Sequence, residues 1–336
     1  MNPISWDRLF GFQHAFDQPA TVLLLGIVLS VLVLAPLAIL FADRLKSLEE
    51  RQRTELWLRW RSWLVLVVLM AAPVLLGAFW TMLAVTVLSL LCYREFARAT
   101  GLFREKFTSL LVVLGILLVG FAVLDNWYQL FVALFPLTVA ALAGFQVVLD
   151  RPAGYIQRVA LGILAFALFG SALGHLGYLA NDEHYRAVVL LVLVAVELND
   201  VAAFVSGKLF GRRKLCPNTS PNKTVAGALG AVLVTTLFVT LVGRLAFAGN
   251  PLESWAKLAV LGFLISVVGQ LGDLVLSSIK RDLGLKDMGA SIPGHGGLLD
   301  RFDSLILVAP AVFHFVWYFG GFGLQQPICI FSGARS

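Results

Sequence analysis

The hydrophobic residues of this 336-residue chain form ten long runs, and the short segments between them carry most of the charge. A spanning helix needs about 20 mainly apolar residues, because it rises about 1.5 Å per residue through a hydrocarbon core about 30 Å thick. The pattern therefore predicts an all-α, polytopic integral membrane protein. Its spanning helices are expected near Thr21–Phe41, Trp63–Leu76, Phe79–Tyr93, Phe107–Leu124, Trp127–Leu149, Ile156–Leu179, Ala187–Phe210, Thr224–Ala248, Trp255–Ser277 and Leu305–Phe322.

The stretch from Trp63 to Tyr93 is too long for a single span. At about 1.5 Å per residue it would extend about 46 Å, well beyond the hydrocarbon core. Pro73 and Gly77 favour a break within it. We therefore predict two short helices here, which brings the total to about ten.

Lysine and arginine residues fall into five groups that a ten-span topology places on one side of the membrane. The positive-inside rule identifies that side as the cytoplasm, so both termini are expected outside. Merging the two short helices would place the first group opposite the other four. The charge pattern thus supports the break independently of helix length.

Composition agrees with a membrane protein and excludes a water-soluble globular domain. Hydrophobic residues make up 59% of the chain and charged residues 14%, against about 45–50% and about 25% in soluble domains. The net charge of +6 suits contact with anionic headgroups. Three scattered cysteines indicate neither a disulfide framework nor a zinc site.

Two polar segments interrupt the apolar pattern, and both are predicted to face the cytoplasm. The first begins with Glu197 and Asp200, which share a helix face, and continues through a loop that contains Ser220 and Lys223. Carboxylates within a membrane helix are costly and usually mark a functional site, although a buried polar pair between helices is the alternative. The proline-containing stretch from Cys216 to Lys223 is expected to be an irregular loop that holds phosphate.

The second polar segment runs from Gly272 to Ser304 and gives the stronger signal. Asp273, Ser277, Lys280 and Arg281 lie at helical offsets 0, +4, +7 and +8, so one stripe carries an acid, a hydroxyl and two cations. Asp300 and Asp303 form an i, i+3 pair where the last helix begins. Mg²⁺ binds one or two carboxylates together with substrate phosphates, so this combination predicts a metal and polyphosphate site in a polar cavity.

At these residues the chain resembles the CDP-diacylglycerol synthase (phosphatidate cytidylyltransferase) family. The family signature, which contains Ser-x-apolar-Lys-Arg and His-Gly-Gly-apolar-x-Asp-Arg-apolar-Asp, is met from Ser277 to Asp303 without a gap. An upstream family pattern is met by Asp200, Ala203, Phe204, Gly207, Lys208, Phe210, Gly211, Ser220, Pro221, Lys223 and Thr224. The resemblance covers about residues 57–322. Ala226 and Leu276 stand where the family usually has glutamate.

The resemblance implies a magnesium-dependent transferase that makes CDP-diacylglycerol and pyrophosphate from CTP and phosphatidate, for phospholipid biosynthesis. It implies catalytic roles for Asp273, Lys280, Arg281 and Asp300, and substrate contacts by Ser220, Lys223, Ser277, Lys286, His295 and Arg301. The hypothesis assigns Mg²⁺, with a second cation left open, to Asp273 and Asp300, with Asp200 and Asp303 as nearby ligands.

The chain is expected to divide into three parts. Residues 1–56 form an N-terminal spanning helix and a basic cytoplasmic linker, 57–324 the cytidylyltransferase core, and 325–336 a short tail. The expected location is a bacterial-type inner or plasma membrane, with the active site facing the cytoplasm. Partners are CTP, a lipid phosphate and the bilayer, without nucleic acid; a homodimer is left open.

Two alternatives to phosphatidate cytidylyltransferase remain at this stage. A divergent CTP-dependent transferase that acts on another lipid phosphate would share every motif, since generic apolar residues meet the lipid tail. A membrane transporter would explain ten spans and intramembrane acids, but not the clustered cationic and glycine motifs between the helices.

Overall fold

The computed structural model of the protein describes residues 3–46, 49–292, 296–321 and 328–333. Across these ranges, ten helices are long and apolar enough to cross a membrane. The predicted all-α polytopic fold is therefore confirmed, and the chain is an integral multi-pass membrane protein.

A short helix and a 3₁₀ turn precede the spans, and most spans are single α-helices. In chain order the helices are α1 (Pro3–Phe10), α2 (Pro19–Lys46), α3 (Glu50–Leu76), α4 (Ala78–Thr100), α5 (Lys106–Leu124), α6 (Tyr128–Val148), α7 (Tyr155–Ala165), α8 (Leu173–Leu179), α9 (Tyr185–Phe210), α10 (Val225–Ala246), α11 (Trp255–Asp282) and α12 (Leu299–Gly320). The π-helical segment Phe166–Ala172 joins α7 and α8 into one span.

The break predicted between the second and third membrane spans lies at Gly77. Helix α3 ends at Leu76 and α4 begins at Ala78. Gly77 has a φ of +139°, and a Cβ atom at this position would lie 2.3 Å from the carbonyl oxygen of Leu9. Glycine therefore permits both the backbone conformation and the close approach of α1.

Two buried arginines attach helix α1 and the residue after it to one end of the bundle: Arg8 lies in α1 and Arg186 lies in α9. Arg8 donates to the carbonyl oxygen and to Oδ1 of Asn181, both at 3.0 Å, and Arg186 donates to the carbonyl oxygen of Gly11 at 2.7 Å. Burial lowers the pKa of Arg8 to about 10, so it remains a cation at neutral pH. This end of the bundle is thereby sealed by polar contacts between segments distant in sequence.

Two helix boundaries differ from the prediction in the region of the second polar segment. Helix α11 continues five residues past Ser277 to Asp282, and α12 begins at Leu299 instead of Leu305. Hydrophobicity marks only the part of a helix that lies in lipid, whereas these charged ends are helical because their side chains find partners. Lys280 and Asp300 consequently both lie within helices.

The predicted irregular loop from Cys216 to Lys223 is wrong, because this stretch belongs to a β-hairpin. Strands β1 (Lys214–Cys216) and β2 (Ser220–Thr224) are antiparallel, with Lys214 opposite Thr224 and Cys216 opposite Ser220. Thr224 ends β2 and caps α10, since its hydroxyl accepts a hydrogen bond from the amide of Gly227 at 3.1 Å. The hairpin thus holds Ser220 and Lys223 in a fixed register beside α9 and α10.

Helices α9, α10, α11 and α12 form the most extensively packed part of the fold. Small residues bring α11 against α12: a Cβ atom at Gly272 would lie 2.8 Å from the backbone oxygen of Asp303. Helix α2, by contrast, exposes apolar side chains along most of its length. The closely packed four-helix unit is therefore the part that positions the charged residues.

We expect Gly272→Ala to destabilise the protein by about 1–3 kcal/mol, because the added methyl group would meet backbone atoms of α12, which cannot move aside cheaply. Gly26→Ala in α2 is the matched control, since nothing lies within 4 Å of a Cβ atom there. Thermal unfolding in detergent measures both variants. Equal unfolding midpoints would show that α11 and α12 tolerate separation at this point.

Candidate active site

One face of α11 carries the predicted stripe of charged and hydroxyl groups. Asp273, Ser277, Lys280 and Arg281 all lie in the last three turns of the helix. The hydroxyl of Ser277 donates to Oδ1 of Asp273 at 3.1 Å, one turn away. Ser277 and Lys280 are buried, whereas Arg281 is exposed. The stripe therefore runs from the packed interior of the bundle to its surface.

An ion pair joins this stripe to the hairpin. Nζ of Lys223 lies 2.6 Å from Oδ2 of Asp273, and both side chains are about three-quarters buried. Arg281 adds a second link, since its Nε donates to the carbonyl oxygen of Thr219 at 3.2 Å. The two polar segments predicted to meet are thus in direct contact.

A second ion pair joins α11 to the first turn of α12. Nζ of Lys280 lies 2.9 Å from Oδ1 of Asp300, and both side chains are almost fully buried. The other carboxylate oxygen of Asp300 accepts hydrogen bonds from the amides of Met288 and Gly297, each at 3.0 Å. One carboxylate oxygen of Asp300 therefore binds the backbone at two positions, Met288 and Gly297.

Glu95 of α4 is a functional candidate that the sequence analysis did not identify. Its carboxylate accepts hydrogen bonds from the amides of Leu298 (3.0 Å) and Leu299 (2.8 Å) and from the hydroxyl of Ser291. Glu95 is buried. The predicted third span, Phe79–Tyr93, ended before Glu95 and so placed it in a loop. In the structure Glu95 is an acid within helix α4, which is the usual sign of a functional residue in a membrane protein.

Three further carboxylates cluster where α9, α11 and α12 meet. Asp200, Asp273 and Asp303 lie close enough for their charges to repel one another. Asp200 is exposed on α9. Asp303 is buried, and Oδ1 accepts a hydrogen bond from the amide of Ser304 at 2.7 Å. Like charges held this close indicate a site built for a cation or for several cationic groups.

Cations surround the cluster but do not match it in number. Lys223 and Arg301 attract Asp200, Lys280 attracts Asp303, and Arg301 also attracts Glu197. Nε of Arg301 is buried without a hydrogen-bond partner in the described residues. When all groups are ionised, five carboxylates face three cations; the acids are Glu197, Asp200, Asp273, Asp300 and Asp303, and the cations are Lys223, Lys280 and Arg301.

The donor set suits Mg²⁺ bound together with a substrate. No group of three or more His, Cys, Asp or Glu side chains within the described ranges forms a complete metal site. Mg²⁺ does not require one, because it keeps several waters and takes only one or two carboxylates besides phosphate oxygens. Asp273 and Asp303, with Asp200 beside them, could supply those carboxylates.

The remaining predicted site residues have different surroundings. Ser220 is half-buried in β2, and Lys286 is exposed just after α11. Neither contacts the carboxylate cluster through a hydrogen bond or ion pair in the described part of the chain. His295 lies outside the described residues. The predicted roles of these three residues stay predictions.

The fold and the charged cluster together define a multi-pass integral membrane protein with acidic and cationic side chains clustered between its helices. Residues 57–319 match the Cytidylyltransferase family. This match covers more than half of the chain, so the chain belongs to that family and is a nucleotidyltransferase. The family resemblance predicted from the residues between Asp200 and Asp303 is confirmed.

Relatives of two kinds resemble the chain. A protein of Escherichia coli (strain K12), "Uncharacterized protein YnbB", is 36% identical over 301 residues, which is 88% of this chain and 97% of that protein. The phosphatidate cytidylyltransferases of Staphylococcus haemolyticus (strain JCSC1435) and Staphylococcus aureus (strain COL) are each 41% identical over 152 residues. That region is 44% of this chain, which spans 56% of the length of those relatives.

We expect Glu95→Gln to loosen the segment that Glu95 holds. The amide keeps one acceptor oxygen and loses the charge, and a hydrogen bond to a charged group is worth about 1.5–3 kcal/mol. Amide hydrogen exchange at Leu298 and Leu299 should accelerate while α4 itself stays protected. Glu183→Gln, at an exposed loop position, is the control. Unchanged exchange at both amides would remove Glu95 from this positioning role.

Proposed function

We propose that this protein is a phosphatidate cytidylyltransferase, which joins CTP to phosphatidate and releases pyrophosphate. The observation that carries the proposal is the 2.6 Å ion pair between Lys223 and Asp273, because it unites the two polar segments in one cluster. The names of the staphylococcal relatives support phosphatidate as the lipid substrate.

In the proposed reaction, a phosphate oxygen of phosphatidate attacks the α-phosphorus of CTP. The new bond links the two phosphates of CDP-diacylglycerol, and the bond from the α-phosphorus to the bridging oxygen breaks to release pyrophosphate. A phosphate monoester has a second pKa near about 6, so phosphatidate is already largely dianionic at neutral pH. The reaction therefore needs no strong general base.

The cations of the site bind and orient the phosphates. Lys223 is compensated by Asp273 when no substrate is bound, and the phosphates of CTP would compete for its ammonium group. Nε of Arg301 is buried and has no hydrogen-bond partner among the residues that the structure describes, which suits a phosphate oxygen. Arg281 and Lys286, exposed at the end of α11, are expected to contact the distal phosphates, together with Ser220 and His295. Positioning of this kind supplies most of the rate in phosphoryl and nucleotidyl transfer.

The acids of the site would hold the metal. Asp273 and Asp303 are the ligands that the cluster favours, with Asp200 and Asp300 as further candidates. Mg²⁺, when bound, neutralises the charge that develops on the leaving pyrophosphate. Asp300 already contacts Lys280 and two backbone amides, so its main contribution is to hold the segment from Met288 to Gly297.

The site is proposed to face the cytoplasm. The positive-inside rule places all five basic groups of the chain on that side when ten helices span the membrane. The division at residue 56 and a homodimer likewise remain proposals. Residue 56 lies within the continuous helix α3, so the N-terminal part and the core share a helix.

A second candidate acceptor is another lipid phosphate. Ala226 and Leu276 stand where the family usually has glutamate, and Leu276 is buried in α11. Two missing acids would alter the charge around the acceptor, and hence the lipid that is used. Membership of an enzyme family leaves the transporter alternative without support.

Asp273→Asn should lower turnover by about 10²–10³-fold, as expected when a preorganised electrostatic contact is removed from a reaction centre. Asp282→Asn, on the same helix but exposed at its end, is the control and should retain activity. Product formation is followed with labelled CTP, and size-exclusion chromatography in detergent checks the fold. Full activity of Asp273→Asn would exclude Asp273 from the metal site.

Purified protein with Mg²⁺ and labelled CTP should form a labelled lipid from phosphatidate, and EDTA should abolish the product until Mg²⁺ is restored. Ca²⁺ should not substitute well, because it adopts longer and more flexible coordination. A panel that includes polyprenyl phosphate tests the acceptor. If only another lipid phosphate gives product, that lipid replaces phosphatidate as the proposed acceptor. If no lipid gives product, the proposed function is overturned.

A further inference from the structure

An apolar groove opens between α3 and α4, on the side of α12 away from the Asp300 carboxylate. Its cavity measures about 240 Å³ and is lined almost entirely by apolar side chains, including Leu66, Met70, Leu91 and Phe302. An apolar cavity of about 150 Å³ is large enough to hold benzene. This groove can therefore accommodate part of a hydrocarbon chain.

The groove is about as long as one leaflet of a bilayer. Along α4 it extends from Thr81 to Leu91, ten residues or about 15 Å at 1.5 Å per residue. Half of a hydrocarbon core about 30 Å thick is also about 15 Å. A single acyl chain that lies parallel to α4 would match this length.

Two arginines continue the same stripe of α4 beyond the groove. Val87, Leu91, Arg94 and Arg98 lie at helical offsets 0, +4, +7 and +11, so they share one face. Both arginines are exposed, and neither has a carboxylate within ion-pair distance among the residues that the structure describes. Their charges are therefore available to a ligand at the end of the groove.

We propose that an acidic phospholipid occupies this groove, with one acyl chain between α3 and α4 and its phosphate against Arg94 and Arg98. Charge and length both fit this occupant, because the apolar groove is one leaflet long and ends at two exposed arginines. Arginine near the membrane surface contributes about 1 kcal/mol towards an anionic lipid, which is about fivefold in affinity.

The proposed lipid is separate from the lipid that reacts. Phe302 and Leu305 lie on the face of α12 opposite Asp300, so the groove and the carboxylate cluster are on different sides of that helix. Arg94 directly precedes Glu95, which holds Leu298 and Leu299. A lipid that bridges α3 and α4 would therefore steady the helix that positions the segment before α12.

The test uses phosphatidylglycerol with a diazirine in one acyl chain, titrated into the purified protein in phosphatidylcholine nanodiscs. This lipid is a phosphodiester, so it cannot serve as the phosphate-monoester acceptor of the proposed reaction. We expect saturable labelling of α3 and α4 at groove residues such as Met70 and Leu91. The result does not depend on turnover, and so it is distinguishable from failure of the proposed function.

Two pairs of variants decide the outcome. Arg94→Gln/Arg98→Gln should raise the half-saturating concentration at least tenfold, whereas Arg104→Gln/Arg151→Gln, which removes the same charge elsewhere, should leave it unchanged. Ala84→Phe should fill the groove and abolish labelling, whereas Leu83→Phe, on the exposed side of α4, should not.

Several results would overturn the proposal. The first is labelling that is spread evenly over α2 and α6, and the second is equal labelling by a phosphatidylcholine probe. The third is a half-saturating concentration for the Arg94→Gln/Arg98→Gln variant that equals that of the wild type. The charge variants replace exposed residues, so the proposal can be rejected even if Ala84→Phe fails to fold.

Discussion

The site depends on ion pairs that compensate charged side chains within or near the membrane-spanning helices. An isolated charged residue at the centre of a spanning helix costs about 2.5–3.5 kcal/mol even on the mildest scale. Lys280 is buried against Asp300, and Lys223 against Asp273. Each pair joins elements that are remote in sequence, and loss of one partner would leave the other charge uncompensated. Charge compensation thus fixes the relative positions of α11, α12 and the hairpin.

In the proposed function, the same contacts prepare the site for substrate. A buried ion pair gains little net free energy over apolar packing, so it is weak evidence for stability alone. In the proposed function, Lys223 is the paired lysine that a phosphate can reach, because its side chain is 23% exposed whereas that of Lys280 is only 10% exposed. When a polyphosphate and its metal bind, the phosphate oxygens would replace the carboxylates as partners of the lysines, and the metal would replace the lysines as partner of the carboxylates. The site then needs little rearrangement, which is the general source of electrostatic rate enhancement.

Sequence alone predicted the features that depend on local periodicity and the convergence of the two polar segments, but it missed the particular tertiary contacts that join them. The stripe from Asp273 to Arg281 follows from helical spacing, and the break at Gly77 follows from length and glycine content. The Lys223–Asp273 pair joins residues 50 positions apart through a hairpin that composition did not reveal. Glu95 was missed because a hydropathy window ends at the first charged residue, even where a distant backbone amide satisfies that charge.

Helix geometry also accounts for the depth of the site. Asp273 lies 18 residues after the start of α11 at Trp255, or about 27 Å along a helix that must cross about 30 Å of hydrocarbon. Lys280 lies about 10 Å farther along the helix, which is beyond a hydrocarbon core about 30 Å thick that begins at Trp255. The phosphate of a membrane lipid resides at this same level while its chains stay in the core. A cluster held at the end of α11 can therefore meet a lipid phosphate and a water-soluble nucleotide together, without drawing the lipid out of its leaflet.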